Sequence, residues 1–332
     1  MKMGNVSLTL ATHDYDRVRP LRDGSVKPEG IDLNCLNLPV QEIFWRMCRD
    51  QEFGASEMSF SAYLITRSWQ NPPFIAIPVF LSRFFRHSMV YVNADAGIKK
   101  PEDLKGKRVG IPEWAVTAVV LLKGIWNEHY GVHHRDIDWF VGGLEQPGRT
   151  ERIEVQIPPD VRVEAIPSDR TLSEMLEEGS IDALFSSRDP ACLQNGSGQV
   201  RRLFPDPKAE EISYFKKTGD FPIMHLVVLK ESIHKKHPWL AQELYKAFRR
   251  SKTLADQALR DTGALRYMVP WLHYAMEEAR AVMGPDPWPY GVGENHAALE
   301  TFIRYSHEQG LASRRFTAEE LFAPSTLTES KL

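Results

Sequence analysis

The sequence predicts an α/β protein of two lobes, and three observations predict it. Short apolar runs with strand character alternate with stretches of helical spacing as far as Leu229. At 332 residues the chain is longer than a usual single domain, so two lobes of roughly 100–200 residues each are expected. A fresh unit opens at Gly97, where Pro101 starts a short helical turn, Gly106 closes it and Arg108 to Ile111 reads as a strand.

Taken in order, Val6 to Ala11 alternates as a strand and stops at Thr12-His13-Asp14-Tyr15-Asp16-Arg17. Ligands of open α/β sheets bind at strand ends, which makes His13 a candidate acid or base. The same residues also suit a helix-capping cluster, since Thr12, Asp14 and Asp16 all cap well. Ile31 to Leu36 is a second strand, and Val40 to Cys48 carries Ile43, Phe44 and Met47 at helical spacing. Phe53 to Tyr63 reads as a strand whose end bears Ser59 and Ser61. Beyond the opening at Gly97, Glu113-Trp114 precede an apolar helix from about Ala115 to His129, whose N-terminus could face an anion. Ile137 to Val141 is a strand, followed by a loop holding Glu145 and Arg149. Leu172 to Ser180 is a helix closed by Gly179, and Ile181 to Phe185 is a strand ending at Arg188. His225 stands at the entry to the strand ending at Leu229. Helix follows from Pro238 to about Asp261, and the pattern stays mostly helical to Leu321, broken by the aromatic loop 284–293.

The densest chemistry lies between the apolar runs Phe74 to Phe80 and Met89 to Val92. There Ser82, Arg83, Arg86, His87 and Ser88 sit among Phe80, Phe84 and Phe85. Two guanidiniums within four residues form a fork suited to planar carboxylates, and a histidine beside them can carry a proton near neutral pH. A solvated edge turn is the competing reading.

Composition excludes several classes. A net charge of -3 with no basic tract gives no reason to expect nucleic acid. No apolar run approaches the ~20 residues that cross a bilayer, and the N-terminus lacks the apolar core of a leader. Cys35, Cys48 and Cys192 are scattered, which implies neither a disulfide framework nor zinc. The expectation is a cytoplasmic protein. His133-His134 are neighbours that share no helix face, so no metal site is expected there. No Gly-rich nucleotide motif is present. Ser330-Lys331-Leu332 matches a peroxisomal address, a three-residue pattern easily met by chance.

Two resemblances follow from these residues. Ile98 to Ile111, Leu172 to Phe185 and His225 to Glu243 resemble the second-lobe opening, a helix–Gly–strand unit and the return crossover of type 2 periplasmic-binding-protein-like chains. That resemblance implies a two-lobed fold with the site in the interlobe cleft, lobe one being residues 1–93 and 222–332 and lobe two 94–221. A narrower one rests on Asp14-Tyr-Asp-Arg-Val-Arg-Pro-Leu, Val79-Phe-Leu-Ser-Arg-Phe-Phe-Arg-His-Ser, Gly142-Gly-Leu-Glu-Gln-Pro-Gly-Arg, Thr218-Gly-Asp-Phe-Pro-Ile-Met-His and Trp288-Pro-Tyr-Gly-Val. These are similar to the 4,5-dihydroxyphthalate decarboxylases of bacterial phthalate breakdown.

The narrower resemblance implies a carboxy-lyase acting on a small aromatic dicarboxylate, with no organic cofactor because a ring hydroxyl supplies the electron density. Arg83, Arg86 and Arg188 would hold the carboxylates, with Arg149 a further candidate in its loop, and Ser59 and Ser61 would add hydrogen bonds. One of His13, His87 and His225 would protonate the ring carbon and another would take the phenolic proton, each worth ~10²–10⁴-fold. Glu113 or Glu145 would hydrogen-bond the catechol, and Trp114 would stack on it. No ligand spacing announces a metal, although catechols chelate divalent ions. The rival readings are a solute receptor of the same fold and another cytosolic enzyme built on it. A homo-oligomer is expected from the apolar loop at 284–293 and the helical C-terminus.

Overall fold

The computed structural model describes residues 4–328, so Ser330-Lys331-Leu332 lies outside the described residues. Eleven strands are described: β1 Val6–Thr12, β2 Ile31–Asn37, β3 Ala55–Ser59, β4 Phe74–Arg83, β5 Val90–Asn93, β6 Arg108–Ile111, β7 Asp138–Val141, β8 Arg162–Ala165, β9 Ala183–Phe185, β10 Val200–Arg202 and β11 Ile223–Lys230. Ten α-helices join them: α1 Arg19–Arg22, α2 Val40–Asp50, α3 Phe60–Arg67, α4 Thr117–Tyr130, α5 Leu172–Glu177, α6 Pro207–Thr218, α7 Glu231–Lys236, α8 Trp239–Arg260, α9 Leu272–Met283 and α10 His296–Glu308.

The chain divides into two units. Residues 1–83, 223–300 and 316–332 make the first, and residues 84–222 and 301–315 the second. The expected boundary at residue 93 therefore moves to residue 84. The reason is pairing, because β5 hydrogen-bonds to β9 and β10 and belongs to the second unit's sheet. Residues 301–315 also leave the first unit. Tyr305 lies over α4 where Gly124 leaves no Cβ to obstruct it, and the Gln309 side-chain amide donates to the Val120 carbonyl.

The first unit holds a five-stranded sheet in the order β2-β1-β3-β11-β4. β1 runs parallel to β2 and β3, whereas β11 is antiparallel to both β3 and β4. The carboxyl ends of β1, β3 and β4 thus share one edge with the start of β11. Strand β3 is buried along its whole length, as its central place in the sheet requires, and β4, although it stands at the edge, is buried along almost its whole length. Met58, Phe74, Ile77, Val227 and Leu229 lie wholly inside, beside Leu240, Leu244 and Phe248 of α8. Each such side chain is worth about 1.5–3 kcal/mol when fully buried.

One strand departs from regular pairing. The β4–β11 ladder changes register on both sides of His225, where Ser82 faces it and then Ile77 faces Val227. Pro78 lies in the slipped stretch, and proline in a sheet is confined to bulges and edges because it has no N–H to donate. The carbonyls released from the ladder are taken up elsewhere. Gly291 N–H donates to the Pro78 oxygen at 2.9 Å, the Trp288 indole donates to the Phe80 oxygen at 2.7 Å, and Arg17 Nε donates to the Leu81 oxygen at 3.1 Å. The loop 284–293 is thereby stitched to β4. It is not the open apolar surface that the sequence suggests, and Tyr290 and Val292 are buried.

The second unit holds a six-stranded sheet in the order β10-β5-β9-β6-β7-β8. Tyr91, Leu172, Leu176, Ile181 and Leu184 form one of its core clusters, and Gly179, with φ +78°, closes the turn after α5 as its position predicted. Strands β8 and β10 escape the sequence pattern because they are short and lie at the edges of the sheet, and β8 has no buried residue.

Candidate active site

The carboxyl edge of the first unit's sheet gathers the most reactive set of side chains. Glu57, in the middle of β3, is completely buried. Its carboxylate accepts from the Tyr15 hydroxyl at 2.6 Å, from the His13 backbone N–H at 3.0 Å and from His225 Nδ1 at 2.6 Å. Burial works against ionisation of Glu57, but His225, the Tyr15 hydroxyl and the His13 amide outweigh it and hold the carboxyl below its usual range. Burial and the Glu57 charge push the Tyr15 phenol far up, so it stays a hydrogen-bond donor.

Strand register places His225. It faces Ser59 of β3 on one side and Ser82 of β4 on the other, and Glu57 lies diagonally two residues from Ser59, within reach of a long side chain. Phe44 of α2 packs its ring edge-on against the imidazole at 4.9 Å. His13 lies just beyond the end of β1, exposed, with Nδ1 3.3 Å from the Leu38 oxygen and its ring edge-on to Tyr15. Arg17 is sandwiched between the Tyr15 and Trp288 rings at 4.2 and 4.4 Å. A groove beside Ser7, Lys27 and Asp32 lies at the opposite edge of this sheet and holds none of the candidate residues.

Several sequence-derived assignments in this unit need correction. Strand β3 ends at Ser59, whose hydroxyl accepts from Ala62 N–H and caps α3, a cap typically worth about 1 kcal/mol. Ser61 therefore lies inside a helix, fully buried, and does not line a strand end. Arg83 is buried, and its guanidinium donates to the Pro289 oxygen at 2.9 Å and to the Asn295 side-chain oxygen. It clamps the 284–295 loop to β4 and is not offered to a substrate carboxylate.

In the second unit Arg86 is buried with Nη1 3.4 Å from the Ser187 oxygen, and burial lowers it only to about 10, so it remains charged. Arg188, next to Ser187, is exposed, and no hydrogen bond or ion pair of its guanidinium is found among the described residues. These two arginines adjoin, and Arg188 is the accessible one. His87 takes a different place from the one expected. It is completely buried against Phe204 and Tyr214, neither ring nitrogen has a hydrogen-bond partner, and burial lowers it to about 4. It is a core residue.

Glu113, Arg149 and Trp114 also read as architecture. The buried Glu113 carboxylate takes Arg149 at Nε, 2.8 Å away, and Arg152 at 3.0 and 3.1 Å. Trp114 is wholly buried under the amine of Lys123, which lies 3.0 Å from its ring centroid, and so cannot stack on a ligand. Glu145 is exposed and accepts from the Ala191 N–H. His134 is buried beside Trp114. Among the described residues no group of three or more His, Cys, Asp or Glu side chains is arranged to hold a metal, and no helix is long and apolar enough to cross a membrane.

Sequence reasoning missed Glu57 and Tyr15. The available signal was a lone carboxylate inside the otherwise uncharged run Phe53 to Tyr63, since Glu is almost never fully buried unless it is paired.

No family model matches the chain. It is 13% identical, with a TM-score of 0.56, to the periplasmic aliphatic sulphonate binding protein SsuA of Escherichia coli, covering 98% of this chain and 99% of that one. A periplasmic sulfonate-binding protein SsuA from Methylobacillus flagellatus gives the same identity and TM-score over 96% of this chain and 92% of that one. These likenesses show the fold, the two-lobed α/β type of periplasmic binding proteins. Over 330 residues the chain is 40% identical to the 4,5-dihydroxyphthalate decarboxylase of Comamonas testosteroni, covering 99% of this chain and all of the relative. It is 38% identical over 214 residues to the 4,5-dihydroxyphthalate decarboxylase of Pseudomonas putida, covering 64% of this chain and 83% of the relative. The chain belongs to the 4,5-dihydroxyphthalate decarboxylase family.

Proposed function

We propose that this protein is a non-oxidative carboxy-lyase that converts 4,5-dihydroxyphthalate to protocatechuate and CO2. The observation that carries the reading is the 40% identity to the Comamonas testosteroni decarboxylase along that enzyme's full length. The carboxyl-edge cluster supplies chemistry that fits. Losing one carboxylate from the ring requires a proton at the carbon that loses it, and a hydroxyl para to that carbon raises its basicity. Of the three candidate histidines, His225 alone joins partial exposure to a charged hydrogen-bond partner, and we assign it the proton delivery. The exposed His13 is assigned the phenolic proton, and His87 is withdrawn from the mechanism. Arg188, supported by Arg86, is assigned a substrate carboxylate through charge-assisted hydrogen bonds.

The test is to mix purified, chelator-treated protein with 4,5-dihydroxyphthalate and follow CO2 release and protocatechuate formation. Turnover is expected. Tight binding without turnover would refute the enzyme reading in favour of a solute receptor, and neither binding nor turnover would exclude this substrate.

We also infer self-association, through a surface other than the loop 284–293. Leu265, Met268, Val269, Trp271 and Tyr274 are all at least half exposed, and no residue of α9 is buried. Apolar side chains so concentrated along ten residues mark a protein contact, and the occupant we assign to it is a second copy of this chain.

A further inference from the structure

We propose that Glu57 is a positioning residue: it holds the His225 Nδ1–H on its carboxylate and so leaves Nε2 as the atom that gives the proton to the substrate. This rests on the assignment of His225 as the proton donor made above.

The geometry is restrictive. A carboxylate buried in a central strand is costly unless charge and hydrogen bonds compensate it. Among the described residues no Lys or Arg forms an ion pair or hydrogen bond with Glu57. The donors facing it are the Tyr15 hydroxyl and His225 Nδ1 on Oε1 and the His13 amide on Oε2. The His13 amide can only donate, and the Tyr15 phenol keeps its proton, so the remaining acceptor capacity falls to Nδ1–H. The edge of Phe44 against the imidazole resists the ring flip that would exchange the two nitrogens. The His225 side chain is 18% exposed with Nδ1 taken inward, so Nε2 is the nitrogen left to meet a ligand. The register slip in β4 opposite His225 frees this position from the regular ladder, a recurrent way of aiming a side chain beside an active site.

The step balances without a further reagent. The protonated ring gives its Nε2 hydrogen to the ring carbon bearing the carboxylate, and the new C–H bond uses a π pair. The bond to the carboxylate then breaks, its electron pair restores aromaticity and CO2 leaves. Imidazole remains neutral with Nδ1–H still on Glu57, and it regains its proton from water. A histidine released from Glu57 can hold the other tautomer and present a bare Nδ1 or a turned ring, which ends this alignment. In a serine protease triad, loss of the orienting carboxylate costs ~10⁴-fold in kcat through the wrong tautomer.

The test uses the full-length protein labelled with 15N-histidine. His225 is assigned by its loss in His225→Gln, and its tautomer is read from the nitrogen shifts in wild type and in Glu57→Gln. Wild type should hold the Nδ1–H form, and Glu57→Gln should move it toward Nε2–H. Glu57→Gln should also lower kcat by roughly 10³-fold or more with KM within threefold, a split that general loosening would not produce. An Nε2–H tautomer in wild type overturns the proposal without any variant having to fold. Turnover in Glu57→Gln within threefold of wild type overturns it while His225→Gln is inactive, and the His225 assignment then survives. An active His225→Gln removes that assignment and this proposal together.

Discussion

Replacing His87 by leucine tests whether a residue that looks catalytic in sequence is a core residue. The imidazole is wholly buried, without a hydrogen-bond partner, and is faced by Phe204, Tyr214 and, through space, His129. Burial, aided by the His129 charge, lowers it from 6.5 to about 4. The native state therefore binds no proton at His87 until well below pH 6, whereas the unfolded chain takes one up below about 6.5. A depressed native value stabilises the fold above pH 6.5 and withdraws that stabilisation as pH falls toward 4. The gap corresponds to about 3 kcal/mol in total, and about 2 kcal/mol of it is lost between pH 7.5 and pH 5. His134, lowered by burial to about 3, acts in the same direction, while Glu151, raised by burial to about 6, opposes both. Comparing variant with wild type removes these common contributions.

The assay is thermal or urea unfolding at pH 7.5 and pH 5. His87→Leu should lose about 2 kcal/mol less than wild type over that interval, or roughly 4–8 °C less in Tm for a unit of this size. It should be at least as stable at pH 7.5, because an unsatisfied polar ring gives way to an apolar side chain of similar volume. Decarboxylation should persist within a few fold. Equal acid sensitivity in the two proteins would refute the burial account, and abolished turnover in a folded variant would return His87 to the mechanism.

Three further outcomes follow from the same geometry. Arg83→Lys, which cannot reproduce the fork onto Pro289 and Asn295, should lower the unfolding free energy by about 1–3 kcal/mol with KM unchanged; an unchanged midpoint in urea would rule out the clamp. Arg188→Ala removes an exposed guanidinium, so steady-state kinetics should show KM raised roughly 10–100-fold, as charge-assisted hydrogen bonds of ~1.5–3 kcal/mol imply. Its Tm should stay at the wild-type value, and an unaltered KM would free Arg188 of the carboxylate role. Trp271→Glu should reduce the mass measured by light scattering, and a wild-type protein already monomeric at micromolar concentration would end the self-association reading.

The amino-acid sequence by itself determined the alternation of strands and helices and the family, whereas the start of the second unit at residue 84 came from strand pairing. Alternation and family are written in local periodicity, in Gly and Pro at fixed offsets and in long motifs. Where the local pattern is short or polar, as in β8 and β10, pairing partners alone create the strand. The site was legible only in part. His13, His87 and His225 stand at similar positions along the chain, each beside a strand terminus, and nothing local ranks them. Burial among Phe204 and Tyr214 removes His87, while Glu57, 168 residues away in sequence, selects His225. Arg83 and Arg188 likewise look equivalent as strand-end arginines until Asn295, 212 residues distant, occupies the first. A side chain's charge state and its availability depend on which distant groups desolvate it or bond to it, and only the tertiary structure decides that.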